Sequence, residues 1–361
     1  MITNKKLLLL FYSLSLSILA AAQALNSHAF CFYYNWYGSV ELDGTNHHWK
    51  HPVMPQNDKD TNSFIFEGNG NIGADYYPAS GEYSSSDSVT IDRHMKEMAS
   101  AGIGVIAVTW LGENDYSFRS VPLILDFANQ YHLKICFQIE PCVRKNPLAT
   151  KQAIEFIIEN FGNHPAFYRE EVTKRPLFFV YDSYMIPANE WSEVFGKNDK
   201  PNSFRNSEFD SDIIGLWCWK EDSSFFLNSG FDGFYTYFAS RGFTYGANPD
   251  NWQKLQHFAD EHHLKFIPSV GPGYSDNRIR PWNLQNTKSR DDGSYYDNFF
   301  QSAIDAKVKW IGITSYNEWH EGTQIEPAKP MSFGAYHYLD YGNLPIDYYI
   351  KRTLYWLEKF N

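Results

Sequence analysis

Paired sulfur is the first thing this sequence lacks. Only four cysteines occur in 361 residues, Cys31, Cys136, Cys142 and Cys218, with no C-x-x-C pair or framework spacing. Neither a disulfide scaffold nor a zinc ribbon therefore organises the chain. Cys31, Cys136 and Cys218 sit in apolar, strand-like runs and read as buried thiols. Positive charge is short as well: 31 Lys and Arg against 42 Asp and Glu leave a formal net charge of -11, which excludes a phosphate-seeking surface and with it nucleic acid as a partner. No G-x-S-x-G elbow, Walker loop or dinucleotide fingerprint opens a helix, so serine-hydrolase, nucleotide and hydride chemistry have no support. His47, His48 and His51 cluster, but H-E-x-x-H is absent and His320-Glu321 has no second histidine at the required spacing. No catalytic metal and no other cofactor is expected.

The start of the chain is different in kind. Lys5-Lys6 precedes an apolar run from Leu7 to Ala22 that closes in Ala22-Gln23-Ala24, the three parts of a secretory signal peptide. Cleavage after Ala24 would leave residues 25–361 as a single domain that is exported, periplasmic or secreted, with no stable membrane insertion and monomeric. An uncleaved membrane anchor is the alternative, since the run is close to the ~17 residues that a thin bilayer needs. The first candidate strand begins within a few residues of Ala24, which leaves no stem and favours cleavage.

Eight short apolar runs rich in β-branched and aromatic residues recur along the rest: Ala29 to Tyr34, Gly104 to Trp110, Lys134 to Glu140, Leu177 to Tyr181, Ile213 to Cys218, Gly233 to Phe238, Lys265 to Val270 and Trp310 to Ser315. Helical patterns lie between them: Val89 to Ala101 behind a cap at Asp87 or Ser88, then Ser120 to Tyr131, Lys151 to Phe161, Asn251 to His262, Tyr296 to Ala306 and Ile346 to Phe360. The helices after the fourth and fifth runs are the least clearly marked. Eight β-then-α units point to an α/β fold, a closed (β/α)₈ TIM barrel. Three connections are far longer than the ~2 to 6 residues usual after a barrel strand: Asn35 to Asp87, Gly271 to Tyr295 and Tyr316 to Pro345. All three leave strand C-termini, the face on which barrels build active sites.

The polar residues that matter concentrate there. The eighth run ends in Asn317-Glu318-Trp319-His320-Glu321-Gly322, two glutamates three residues apart with Trp, His and Asn between and before them. Such a pair suits glycoside hydrolysis, in which one carboxyl delivers a proton to the leaving oxygen while another removes a proton or answers developing positive charge. A solvated acidic loop would not interleave those residues. Asn317 is apt for a hydrogen bond to a sugar hydroxyl. Glu140 ends the third run at the barrel rim and reads as a ligand contact, or else as an ion pair with Arg144 or Arg280. Cleft walls are expected from Phe32 to Gly38, including Tyr34, from Gly233 to Phe238, including Tyr237, and from Arg278 to Asn283, whose Arg forks and Asn amides suit vicinal hydroxyls. Aromatic residues make up 18% of the chain, which fits either stacking platforms for sugar rings or an aromatic core.

Five segments together carry a family likeness: Phe32-Tyr33-Tyr34-Asn35-Trp36-Tyr37-Gly38, Tyr76-Tyr77-Pro78 with Gly81-Glu82-Tyr83, Ile139-Glu140-Pro141, Arg280-Pro281-Trp282-Asn283, and Asn317 through Pro327. They resemble glycoside hydrolase family 99, the endo-α-1,2-mannosidases and endo-α-1,2-mannanases, from about Ala29 to the C-terminus. The resemblance implies a (β/α)₈ barrel that cleaves internal α-1,2-mannosidic bonds with retention, acting on an α-mannoside oligosaccharide or polysaccharide without a metal. The residue matching Glu318 would deprotonate the sugar's own 2-hydroxyl, which attacks the anomeric carbon to give a 1,2-anhydro intermediate. Glu321 would protonate the departing oxygen and later activate water. Tyr34, Trp110, Glu140, Tyr237, Arg280 and Asn317 would bind the sugar. Two departures stand out: Leu111 follows Trp110 where a second aromatic is expected, and Cys142 follows Pro141 where an aromatic is common. Two rival readings are a catalytically silent glycan-binding barrel and a metal-dependent hydrolase.

Overall fold

The computed structural model describes residues 24–57, 60, 63–141, 146–197 and 200–360. The expected signal segment up to Gln23, Cys142 and Arg144 fall outside that set. Eight parallel strands form the centre: β1 (Asn26–Tyr33), β2 (Ile103–Trp110), β3 (Lys134–Ile139), β4 (Leu177–Val180), β5 (Asp212–Leu216), β6 (Gly233–Tyr235), β7 in two pieces (Lys265–Ile267 and Ser269–Val270) and β8 (Ile311–Ile313). Each is followed by a helix: α1 (Ser88–Ser100), α2 (Val121–Gln130), α3 (Pro147–Phe161), α4 (Ala188–Phe195), α5 (Ser223–Ser229), α6 (Trp252–His262), α7 (Ser294–Asp305) and α8 (Tyr348–Leu357).

The expected barrel is what forms. The hydrogen-bonded order runs from the second piece of β7 through β8, β1 and on to β6, ending at the first piece of β7. The ring thus closes through β7 itself. Pro268, which has no N–H for the ladder, divides that strand, while its carbonyl still accepts from Gly312 N at 2.8 Å. Most strands stop short of the expected C-terminal ends, because pairing gives way to the loops that build the rim. All eight residues of β2 are buried, as a strand covered on both faces requires.

Inside the barrel, Phe30 and Phe32 of β1 meet Phe179 of β4 at 5.5 and 5.2 Å, and Phe179 meets Tyr235 of β6 at 5.0 Å. The aromatic excess is therefore in large part core. Each such side chain contributes roughly 1.5–3 kcal/mol by leaving water. On the other face of β1, Tyr33 points outward and its hydroxyl meets His94 of α1 at 3.0 Å. The helices start where the sequence can cap them. Asp87 accepts from the backbone of Val89 and Thr90 at the start of α1, and Asn146 accepts from Ala149 N ahead of Pro147 in α3. Weak marking of α4 and α5 has a simple cause: they are only 8 and 7 residues long, and Gly230 in the left-handed region (φ 86°) ends the second.

At the N-terminal end of the barrel, Asp212 and Asp232 are buried among cations. Arg175 pairs with both, Arg205 reaches Asp232 at 2.7 Å and Lys265 reaches Asp212 at 3.0 Å. Cys31, Cys136 and Cys218 are free and buried, and burial pushes all three thiols up. No helix among the described residues is long and apolar enough to cross a membrane.

Candidate active site

The chain leaves β8 and makes a single 3₁₀ turn, Trp319–Glu321, ended by Gly322 with φ 62°. Glu318 is its N-cap, with a side-chain oxygen accepting from His320 N at 3.1 Å. The turn keeps Glu318 and Glu321 near enough for the charge of Glu321 to act on Glu318. Tyr34 lies opposite. Asn317 locks the turn to β1 by accepting from Tyr34 N and donating to Tyr34 O, each at 2.8 Å. It also donates to the Tyr83 hydroxyl at 3.2 Å. The amide expected to greet a sugar hydroxyl is thus spent on protein groups, and Asn317 is fully buried. Its pattern of use is that of a spacer setting the distance between the first and eighth strands.

Charge at this end is one-sided. Glu318 is 4% exposed, and burial first, then the charge of Glu321, push its carboxyl well above the ordinary range, with Arg280 opposing. Glu321 is raised by burial too, but its Oε1 sits 3.2 Å from Arg280 Nη1, which pulls the other way. The same guanidinium meets buried Asp276 at 3.2 Å. Arg280 is therefore engaged with Glu321 and Asp276 and makes no ion pair with Glu140. Glu140 instead accepts from Thr109 Oγ1 at 2.9 Å and Gln138 Nε2 at 2.6 Å, and burial lifts it to about 7.

Glu140 also borders a cavity of about 560 Å³ between the loops that leave β2, β3 and β4, lined by Trp110, Leu111, Tyr181, Asp182 and Met185 among others. Glu318 and Glu321 are not in that lining. The two groups nonetheless feel each other: Glu321 contributes to the upward push on Glu140, and Glu140 to that on Glu318. Between them stand Tyr34 and Tyr237, whose hydroxyls are hydrogen-bonded to one another, and Tyr181, whose ring meets Tyr237 edge-on at 5.2 Å. Tyr237 and Asp182 hold left-handed backbone, φ 45° and 52°, just past β6 and β4. Strain of ~1–3 kcal/mol per such residue is typical of functional rims.

The structure therefore brings Glu318, Glu321, Arg280, Tyr34 and Tyr237 together, and sets Trp110 and Glu140 at the neighbouring cavity. The structure adds detail to three sequence expectations. Asn317 is the first. Arg278 is the second: its guanidinium lies 3.7 Å from the Tyr336 ring centroid and donates to Asn71 at 2.6 Å, so it clamps loops and does not line the cleft. In the Gly233 to Phe238 segment, the third, Tyr235 fills the barrel with its hydroxyl 3.4 Å from Gln138 Oε1, and Tyr237 meets Tyr34 beside the acids. Residues that sequence reading passed over are Asp182, Tyr181 and Asp276. Asp276 carried a signal, standing four residues before Arg280 in the same long loop.

The histidines surround the turn without charge. His51 and His320 rings lie 4.5 Å apart, and His48 stacks on Trp36 at 4.4 Å. Burial lowers His48 to about 4 and takes His320 well below its ordinary value. Among the described residues no group of three or more His, Cys, Asp or Glu side chains is arranged to hold a metal ion.

Comparison with known proteins follows the same line. Residues 24–361 match the model of glycosyl hydrolase family 99. The chain is 42% identical to the glycoprotein endo-alpha-1,2-mannosidase of Mus musculus over 350 residues, covering 93% of this chain and 76% of the relative. It is 40% identical to the Xenopus laevis protein of the same name, with 91% and 76% covered. The solved GH99 endo-alpha-mannosidase of Bacteroides thetaiotaomicron superposes with a TM-score of 0.90 at 44% identity, covering 93% of this chain and 98% of that one.

Proposed function

The chain belongs to glycosyl hydrolase family 99, a family of glycoside hydrolases, and from that premise we propose that it is an endo-acting α-1,2-mannosidase. The substrate is an internal α-1,2-mannosidic bond in mannan or a high-mannose glycan. The observation that carries the reading is the single 3₁₀ turn that holds Glu318 and Glu321 close enough for the charge of one to push up the other, both raised, with Arg280 paired to Glu321. A carboxyl that still holds its proton near neutral pH can act as a general acid, and its neighbour as a base.

Retention through a 1,2-anhydro sugar is the route we favour. Glu318 takes the proton of the 2-hydroxyl as that oxygen attacks the anomeric carbon, and Glu321 protonates the departing oxygen. Water, deprotonated by Glu321, then opens the three-membered ring and the 2-oxygen recovers its proton from Glu318. Mannose suits this, because its axial 2-hydroxyl lies opposite an axial leaving group. The resting electrostatics pose a specific demand: Arg280 contacts Glu321, which favours the negative charge there, so the proton must pass to Glu321 once substrate is bound. A leaving-group test addresses it. If Glu321 is the acid, Glu321→Gln recovers most of its lost rate on a mannosyl donor with a strongly acidic leaving group, and Glu318→Gln does not; the reverse pattern exchanges the roles.

Mass spectrometry of products from mannan and from a glucosylated high-mannose glycan tests the activity itself. Release of disaccharides or larger fragments supports endo cleavage, and release of single mannoses alone overturns it. Insensitivity to chelators removes the metal-dependent alternative. We also place the mature protein outside the cytoplasm as a monomer beginning at Leu25; N-terminal sequencing of exported protein that still carries Lys5-Lys6 would contradict that.

A further inference from the structure

The motif at the end of the barrel runs past both acids to Thr323-Gln324-Ile325-Glu326-Pro327, residues with no part in the chemistry above. We infer that Glu326 is a positioning residue that fixes the aim of the Glu318–Glu321 turn, acting through Trp319 and Tyr83. The inference rests on the proposed reaction for its kinetic meaning and on geometry for its structural one.

Glu326 is 2% exposed, a carboxylate deep behind the site. One oxygen accepts from the Tyr83 hydroxyl at 2.7 Å and from the Trp319 indole at 3.0 Å. The other accepts from Arg93 at 3.4 Å and faces His94 Nε2 at 3.1 Å. Burial lowers the His94 pKa, with Glu326 opposing. The ring Nδ1 faces the Tyr33 hydroxyl at 3.0 Å, and its Nε2 also lies 2.8 Å from Arg93 Nη2. Three donors, from Tyr83, Trp319 and Arg93, thus converge on one carboxylate that the His94 ring also faces. Arg93 of α1, 35% exposed, brings the compensating charge from outside.

What those donors belong to gives the arrangement its consequence. Trp319 directly follows Glu318 and precedes Glu321 by two residues. Tyr83 receives the Asn317 amide, the link to β1. The backbone of the same segment folds back on the strand end: Ile325 N donates to Ser315 O and Glu326 N to Tyr316 O, each at 2.9 Å. Thr323 Oγ1 meets Ser315 Oγ at 2.9 Å, and that oxygen accepts from Glu318 N at 2.7 Å. Residues 323–326 are a brace, and Glu326 is its polar anchor. Misplacing a reacting group by about 1 Å costs on the order of 10² in rate, so an anchor this close to both acids should be read in turnover.

Glu326→Gln is the test, because it keeps the volume and replaces one acceptor oxygen by an NH₂ that must oppose a pair of donors. On a mannan oligosaccharide, kcat should fall by roughly 10- to 100-fold with KM within about threefold of wild type, at a temperature well below the variant's Tm. In a ¹⁵N-indole spectrum the Trp319 resonance, assigned by its loss in Trp319→Phe, should move. Tyr83→Phe removes one hydroxyl without changing the ring, and should lower kcat by a few-fold, non-additively with Glu326→Gln. Should Glu326→Gln fail to fold, Tyr83→Phe decides alone. An unmoved Trp319 signal in Glu326→Gln, or kcat within twofold of wild type in Tyr83→Phe, overturns the brace. Lack of cleavage by the wild-type protein sinks the proposed function instead, and the indole signal then still decides the structural claim.

Discussion

The two ends of the barrel treat buried carboxylates in opposite ways. At the N-terminal end, Asp212 and Asp232 are answered by Arg175, Arg205 and Lys265, and the Asp232 carboxyl, although buried, is held below its usual value by Arg205 and Arg175. At the C-terminal end, among the described residues, Arg280 pairs with Glu321 and Asp276 only, and Glu140, Glu318 and Glu321 are all raised. Compensated charge holds strand ends in register, whereas under-compensated charge stores a proton. The barrel's stability lives at one end and its reactivity at the other.

Substituting the acids tests that division most severely. Glu318→Gln and Glu321→Gln should each lower turnover by at least ~10² on the natural glycan while Tm holds or rises, because each removes an ionisable group that burial opposes. Calorimetry together with product formation checks both halves; a large drop in Tm for either variant would break the comparison. At the opposite end, Asp232→Ala leaves Arg175 and Arg205 partly buried without their shared partner. A loss of about 3–5 kcal/mol is expected, with kcat unchanged in the fraction that stays folded. Urea unfolding gives the first number, and titrated active enzyme the second.

The pH dependence of stability should divide the same way. For Glu140 the folded pKa is raised from 4.5 to about 7. Its contribution is fully present below 4.5, where both states hold the proton, and is lost as pH rises to about 7, since only the unfolded chain has already released it. Asp232 behaves oppositely: its lowered pKa gives stability present above the ordinary value of 3.8 and lost as pH falls below it. Glu140→Gln should flatten the decline between pH 4.5 and 7 in a Tm profile and leave the acid limb alone. A profile unchanged by Glu140→Gln would mean that the carboxyl titrates normally.

How much of this was legible beforehand also follows the two ends. The strands, the long loops and the Glu318–Glu321 turn announce themselves, because buried parallel strands read as apolar runs and a carboxylate pair among Asn, Trp and His has no solvated explanation. The N-terminal ion cluster does not: Arg175, Asp212, Asp232 and Lys265 are ordinary charges at or just before the starts of four separate strands, and closure of the barrel alone unites them. The protein partners of Asn317 and Arg278 were hidden for a related reason. An amide or guanidinium near a strand end looks the same in sequence whether it faces ligand or the backbone of a distant strand, and Asn317 faces Tyr34 across 283 residues of chain. Asp182 was passed over because its importance lies in its backbone, and nothing in Tyr181-Asp182-Ser183 advertises a left-handed residue.

The smallest effect is expected at the departure from the family pattern. Leu111 lines the cavity beside Trp110, with Glu140 and Asp182 on the same wall, away from the two acids of the turn. If that cavity holds a sugar beyond the reacting one, exchanging Leu111 alters binding and not bond cleavage. Leu111→Tyr narrows the cavity and supplies both a stacking face and a hydroxyl. One such contact contributes ~1–3 kcal/mol, so the ratio of kcat/KM between glucosylated and purely mannosyl substrates should shift by about tenfold or more. The shift should appear in KM, with kcat held within about twofold. Were kcat to fall as far as in Glu318→Gln, the cavity and the turn would be one mechanical unit, and the separation of binding from chemistry within this end of the barrel would fail.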